Sequence, residues 1–126
     1  MSDGNLELVR RLYRAFGQED LDTIAEALSP DAEWHQITPV PDRGTYRGPE
    51  AIREFLSELL QVFNFRDIDI IMYIESGDHI TVVGRTEVRS GLTGVPTRFA
   101  FAHVVKLRDG KIVWVYDCGG QERAPR

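Results

Sequence analysis

Residues 97–118 read Thr-Arg-Phe-Ala-Phe-Ala-His-Val-Val-Lys-Leu-Arg-Asp-Gly-Lys-Ile-Val-Trp-Val-Tyr-Asp-Cys. β-Branched and aromatic residues fill two arms on either side of Arg108-Asp109-Gly110, so the stretch is a hairpin of strands 97–107 and 111–118. Side chains alternate faces along a strand, so turn length decides which ones meet. A two-residue turn at Asp109-Gly110 sets Arg108 against Lys111. It then places His103 opposite Tyr116 and sends Asp117 to the other face. A three-residue turn, closing with a left-handed Gly110 in a bulge, sets Leu107 against Lys111. His103 then lies opposite Val115, with Asp117 one position away on the same face. We adopt the three-residue register, with the two-residue turn as its competitor. It puts Val113 and Val115 on the face of His103 and Asp117, and Trp114 and Tyr116 on the other.

Moving toward the N-terminus, the period of two continues. Residues 79–89 form a strand, joined to the hairpin through a Gly- and Pro-containing connection at 90–96. Residues 65–75 form another, with Ile68, Ile70, Met72 and Ile74 alternating, and Ser76-Gly77-Asp78 turns the chain between the two. Earlier still the period is helical. Pro49 and Glu50 open a helix whose apolar face runs through Ile52, Phe55, Leu56, Leu59, Leu60 and Phe63. Residues 38–48 read as a loop and 33–37 as a short strand. Ser29-Pro30-Asp31 breaks a helix running from Leu21 to Leu28 and capped by Asp20. Leu6, Val9, Leu12, Tyr13 and Phe16 stripe the first helix, which stops at Gly17. Helices first and strands later give an α+β domain with a mainly antiparallel sheet. We expect a single domain over residues 1–126, with its core at 5–118 and a polar, frayed tail from Gly119.

Composition narrows the function classes. The chain has 126 residues, 42% of them hydrophobic, enough for a packed core. The net charge is -5 and no Lys/Arg-rich run occurs, which disfavours nucleic acid or an anionic membrane as partner. Cys118 is the single cysteine, so no internal disulfide forms. No apolar run approaches the roughly 20 residues of a membrane span and no secretory signal is evident, so a cytoplasmic location is expected. Three scattered histidines make no metal motif, and Gly-rich nucleotide loops are absent, so no cofactor is expected.

Several short pieces in order carry a family resemblance. They are Leu12-Tyr13-Arg14-Ala15-Phe16, Glu19-Asp20-Leu21-Asp22, Asp31-Ala32-Glu33-Trp34-His35, Tyr46-Arg47-Gly48-Pro49-Glu50-Ala51-Ile52, Phe101-Ala102-His103-Val104-Val105 and Arg108-Asp109-Gly110-Lys111-Ile112-Val113. Together they span most of residues 5–118. The chain resembles the SnoaL-like and ketosteroid-isomerase-like branch of the nuclear transport factor 2-like superfamily. The resemblance implies a cone-shaped α+β barrel in which a curved sheet and three N-terminal helices enclose a pocket. It also implies a homodimer built through the outer sheet face, where Trp114 and Tyr116 lie.

The family hosts several chemistries and non-catalytic proteins, so function rests on individual residues. In SnoaL-type cyclases a His and an Asp on the last two long strands face the pocket, and the matching positions are His103 and Asp117. Abstracting a proton next to a carbonyl needs a base and a donor for the developing oxyanion. A carboxylate among apolar residues has its charged form disfavoured, which suits Asp117 to the base role, with His103 as oxyanion partner or orienter. His35, Trp34, Tyr13, Val115, Phe101 and Arg85 are the candidate substrate contacts. Among them Tyr13, near the oxyanion-hole tyrosine of ketosteroid isomerases but one residue out of register, reads as packing. The isomerase aspartate after the first strand has no counterpart in Trp34-His35-Gln36-Ile37, so a cyclase-like arrangement is favoured over a steroid isomerase. A small apolar or carbonyl-containing ligand is therefore expected. Two alternatives stay open: a ligand-binding domain without chemistry, and an epoxide hydrolase of the limonene type built on Arg85, Glu87 and Asp117.

Overall fold

The computed structural model describes residues 2–36, 44–90 and 94–121. Along the chain come α1 (Ser2–Gly17), α2 (Leu21–Ala27), β1 (Leu28–Gln36), β2 (Gly44–Arg47), α3 (Pro49–Val62), β3 (Phe63–Ser76), β4 (His79–Ser90), β5 (Pro96–Arg108) and β6 (Lys111–Gln121). The strands form one sheet in the order β2-β1-β6-β5-β4-β3. β1 runs parallel to β6, and every other pair is antiparallel. The fold is thus α+β with a mixed, mostly antiparallel, open and curved sheet. Register shifts interrupt β1/β6, β3/β4 and β5/β6. Each extra residue bends its strand and deepens the twist, which gives the sheet a concave face.

The helices cover that face because their apolar stripes match it. Val9 and Leu12 of α1, Ile24 and Ala27 of α2, and Ile52, Phe55 and Leu56 of α3 are buried in one cluster with Ala32, Trp34, Ile80, Val82, Val105, Leu107, Ile112 and Val115 of the sheet. Asp20 caps α2 as its sequence suggested, accepting from the Thr23 backbone N–H at 3.2 Å and from the Thr23 hydroxyl at 2.6 Å.

Several boundaries differ from the sequence reading. α2 ends at Ala27, and the chain passes directly into β1, so Ser29, Pro30 and Asp31 lie in a strand. Proline is tolerated there because the β1/β6 pairing is irregular between Leu28 and Glu33. β2 lies within the stretch read as a loop, pairing Tyr46 with Trp34 and Gly44 with Gln36. Its four residues are too short to show a period. Phe63, assigned to the helical stripe, opens β3. β6 continues to Gln121, which pairs with Phe99, so the chain is ordered strand past Gly119 rather than frayed tail. Ile37, residues 38–43 of the expected loop, residues 91–93 of the connection and the end of the tail lie outside the described residues.

The hairpin resolves the register differently from either simple turn. Arg108 pairs with Lys111, and Asp109 and Gly110 have φ of 53° and 74°. Two left-handed residues define the two-residue type I′ turn, the competitor reading. One residue pair later the register shifts, with Leu107 opposite Ile112 but Lys106 opposite Trp114. Val113 is the extra residue of this bulge, and it returns Asp117 to the face of His103, directly opposite it. The same-face expectation holds, but a bulge and not a longer turn produces it.

Candidate functional site

A single row of side chains crosses the concave face. Gln36 on β1 is the partner of Asp117 on β6, Asp117 of His103 on β5, His103 of Val82 on β4, and Val82 of Tyr73 on β3. Three neighbouring strands thus place an amide, a carboxylate and an imidazole side by side. The row below is apolar, with Trp34, Val115, Val105 and Ile80 in register. The Trp34 ring meets His103 edge-on at 6.0 Å and packs on Phe55 at 6.3 Å. Phe101, two residues from His103 on the same face, stacks on it at 4.7 Å. Phe101 lies across Gly84, where an added Cβ would stand 2.6 Å from Phe101 Cζ and 2.7 Å from the Asp69 carbonyl oxygen. Only glycine leaves room for that ring.

α1 closes the row from above. Tyr13 stacks parallel to His103 at 5.7 Å, and its hydroxyl is hydrogen-bonded to His103 Nδ1. On the far side His103 Nε2 is 3.3 Å from Asp117 Oδ1. Gln36 Nε2 donates to Asp117 Oδ2 at 2.9 Å, and Trp34 Nε1 donates to Gln36 Oε1 at 2.9 Å. With its ring proton on Nε2, His103 donates to the Asp117 carboxylate and accepts the Tyr13 O–H at Nδ1. Gln36 is buried, and the side chains of His103 and Asp117 are only 14% and 16% exposed. The Tyr13 phenol is held well above the ordinary tyrosine range, first by burial and then by the nearby Asp117 charge and Tyr73. Tyr13 is therefore a donor that keeps its proton.

The residues singled out from sequence divide between the two faces. Asp117, His103, Tyr13, Trp34, Val115 and Phe101 come together on the concave side. His35 does not: the alternation that buries Trp34 and Gln36 sends it outward. There it stacks on Tyr116 at 4.2 Å and bonds to Glu33 at 2.9 Å and Thr45 at 3.1 Å. The His35 bond, aided by Arg47, holds the Glu33 carboxyl below its usual range. Arg85 and Glu87 also lie on the outer face, since Val82, Gly84 and Thr86 alternate inward. Arg85, Glu87 and Asp117 therefore do not converge. The sequence reading missed Gln36, noted only for lacking a carboxylate. The period of two from Trp34 to Gln36 was the available signal. Among the described residues no three of His, Cys, Asp or Glu gather where a metal ion could be held. No helix among them is long and apolar enough to cross a membrane.

The model of the SnoaL-like domain matches residues 9–115. The chain belongs to the SnoaL-like family. Its members' fold recurs in solved structures. TerC, co-crystallised with polyporic acid, is 30% identical, with 91% of this chain and 90% of that one covered and a TM-score of 0.81. An NTF2-like protein of unknown function from Burkholderia pseudomallei is 28% identical, with coverage of 91% and 89% and a TM-score of 0.81. A protein with a ketosteroid isomerase-like fold from Catenulispora acidiphila is 17% identical, with coverage of 89% and 84% and a TM-score of 0.79, and shares the fold. No curated protein matches in sequence.

Proposed function

We propose that this SnoaL-like protein is a cofactor-independent enzyme that moves a proton at a carbon next to a carbonyl, as a cyclase or isomerase does. The observation that carries this reading is the unbroken link from Asp117 through His103 to Tyr13, set against the aromatic wall of Trp34 and Phe101. Asp117 takes the proton as the C–H bond breaks, and the electron pair moves onto the carbonyl oxygen. Tyr13, protonated through its burial, turns its O–H from His103 Nδ1 to that oxyanion. His103, with Nε2 3.3 Å from Asp117 Oδ1, holds the carboxylate in place. The enolate then collapses by taking the proton back at another carbon or by attacking a second carbonyl. Polyporic acid, present in the TerC crystal, is the first ligand to try.

A second reading, a ligand-binding pocket without chemistry, draws on a specific feature: both Asp117 oxygens are already engaged by protein donors. Deuterium incorporation from solvent into 1,3-dicarbonyl compounds, followed by NMR, separates the two. The enzyme reading expects exchange that falls about 10²- to 10⁴-fold in Asp117→Asn. Exchange equal in both proteins would leave only binding.

A further inference from the structure

A cleft of about 490 Å³ opens between α1 and β3, lined by Tyr13, Arg10, Arg14, Ile68, Ile70 and Tyr73. Tyr13 is shared between this cleft and the hydrogen-bonded row, so the cleft reaches the site from the helix side. Its two arginines are one turn apart on α1 and so lie on the same face of the helix. The Arg10 guanidinium sits over the Tyr73 ring at 5.4 Å, at the mouth of the cleft that Tyr73 lines. Glu7 is the acidic neighbour of both, at 3.9 Å from Arg10 and 3.5 Å from Arg14. These contacts are long and solvent-exposed, with 47% and 60% of the arginine side chains accessible, so they leave the guanidinium groups able to bind elsewhere. Arg14, in the last turn of α1, also offsets the helix dipole. That role does not account for Arg10, nor for the placement of both at a cleft in a chain of net charge -5.

We propose that Arg10 and Arg14 receive an anionic group, a carboxylate or sulfonate-like substituent, on a ligand whose apolar body lies against Ile68, Ile70 and Tyr73. Planar guanidinium forks suit two-oxygen anions. This deepens the proton-transfer reading and rests on it for the word substrate: the carbonyl compound carries a negative charge remote from the reacting carbon. Arg10 and Arg14 act as binding residues, and the carbonyl end reaches Tyr13.

The test uses two dyes that differ by one charge, 8-anilinonaphthalene-1-sulfonate and its neutral analogue N-phenyl-1-naphthylamine, titrated by fluorescence into the intact protein. The double variant Arg10→Gln/Arg14→Gln should weaken the sulfonate roughly tenfold and leave the neutral dye unchanged. Arg10→Lys/Arg14→Lys should recover part of the loss, and Arg108→Gln, at the turn between β5 and β6, should change neither dye. An unchanged sulfonate affinity, or equal losses for both dyes, would overturn the proposal. Dye binding needs no turnover, so a failure of the proton-transfer reading would leave this result standing, and the reverse holds for the exchange assay.

Discussion

Gln36→Leu removes the amide from the polar row without changing the side-chain volume much. Gln36 is 7% exposed and bonded on both sides at 2.9 Å, to Trp34 Nε1 and to Asp117 Oδ2. Losing the amide takes a charge-assisted hydrogen bond from Asp117, about 1.5–3 kcal/mol, and strands the buried indole N–H, about 1–3 kcal/mol. Leucine returns about 1 kcal/mol through its greater apolar burial. The expected net destabilisation is about 1.5–5 kcal/mol, read as a lower urea midpoint with an unchanged slope. The two losses are separable by a double-mutant cycle with Asp117→Asn, where a coupling of about 1–2 kcal/mol is expected between the partners. A cost below about 0.5 kcal/mol, the ordinary range for surface substitutions, would mean that the row is not held together as described.

Three more outcomes follow from other parts of the molecule. Gly84→Ala should cost about 1–3 kcal/mol by overpacking, and Phe101→Leu should restore only part of it, because the Asp69 carbonyl still crowds the new methyl; full rescue would place the clash on the ring alone. Tyr13, whose ionisation is pushed up in the folded protein, stays neutral while the unfolded chain releases its proton near the ordinary tyrosine value. Its contribution is thus intact below that value and lost as pH rises beyond it, so Tyr13→Phe should lessen alkaline destabilisation in urea titrations; identical pH profiles would contradict the burial argument. The outer sheet face carries Met72, Ile74, Val83, Val104, Trp114 and Tyr116 in register, with Met72 and Ile74 each 48% exposed. We expect this face to pair with a second copy, giving a dimer by light scattering that Val104→Lys dissociates; a wild-type monomer at micromolar concentration would count against it.

The helical stripes and the order of elements were legible because burial imposes a period over many residues. Val9 and Leu12, then Ile52, Phe55 and Leu56, are buried as their spacing predicts. The hairpin was only half legible. Asp109-Gly110 announces a type I′ turn, yet the bulge at Val113 follows from how two twisted strands meet, which no local residue spells out. Since one extra residue reverses every later face, the neighbourhood of Asp117 turned on that unwritten detail. His35 was misplaced because its chemistry outweighed its parity: it falls between two inward residues and must point out. Tyr13 was read as packing, and the contact that gives it a polar partner spans ninety positions along the chain and two layers of structure. Gln36 was passed over because an amide is chemically quiet until a carboxylate is set beside it.

The central structural claim is that Asp117 fixes the direction of the hydrogen bonds running through His103 to Tyr13. Nitrogen NMR of the His103 ring reads this directly. A protonated Nε2 with an accepting Nδ1 is expected at neutral pH, and Asp117→Asn should disturb that tautomer while Glu33→Gln, on the outer face, should not. A ring protonated at Nδ1, or one indifferent to Asp117→Asn, would contradict it.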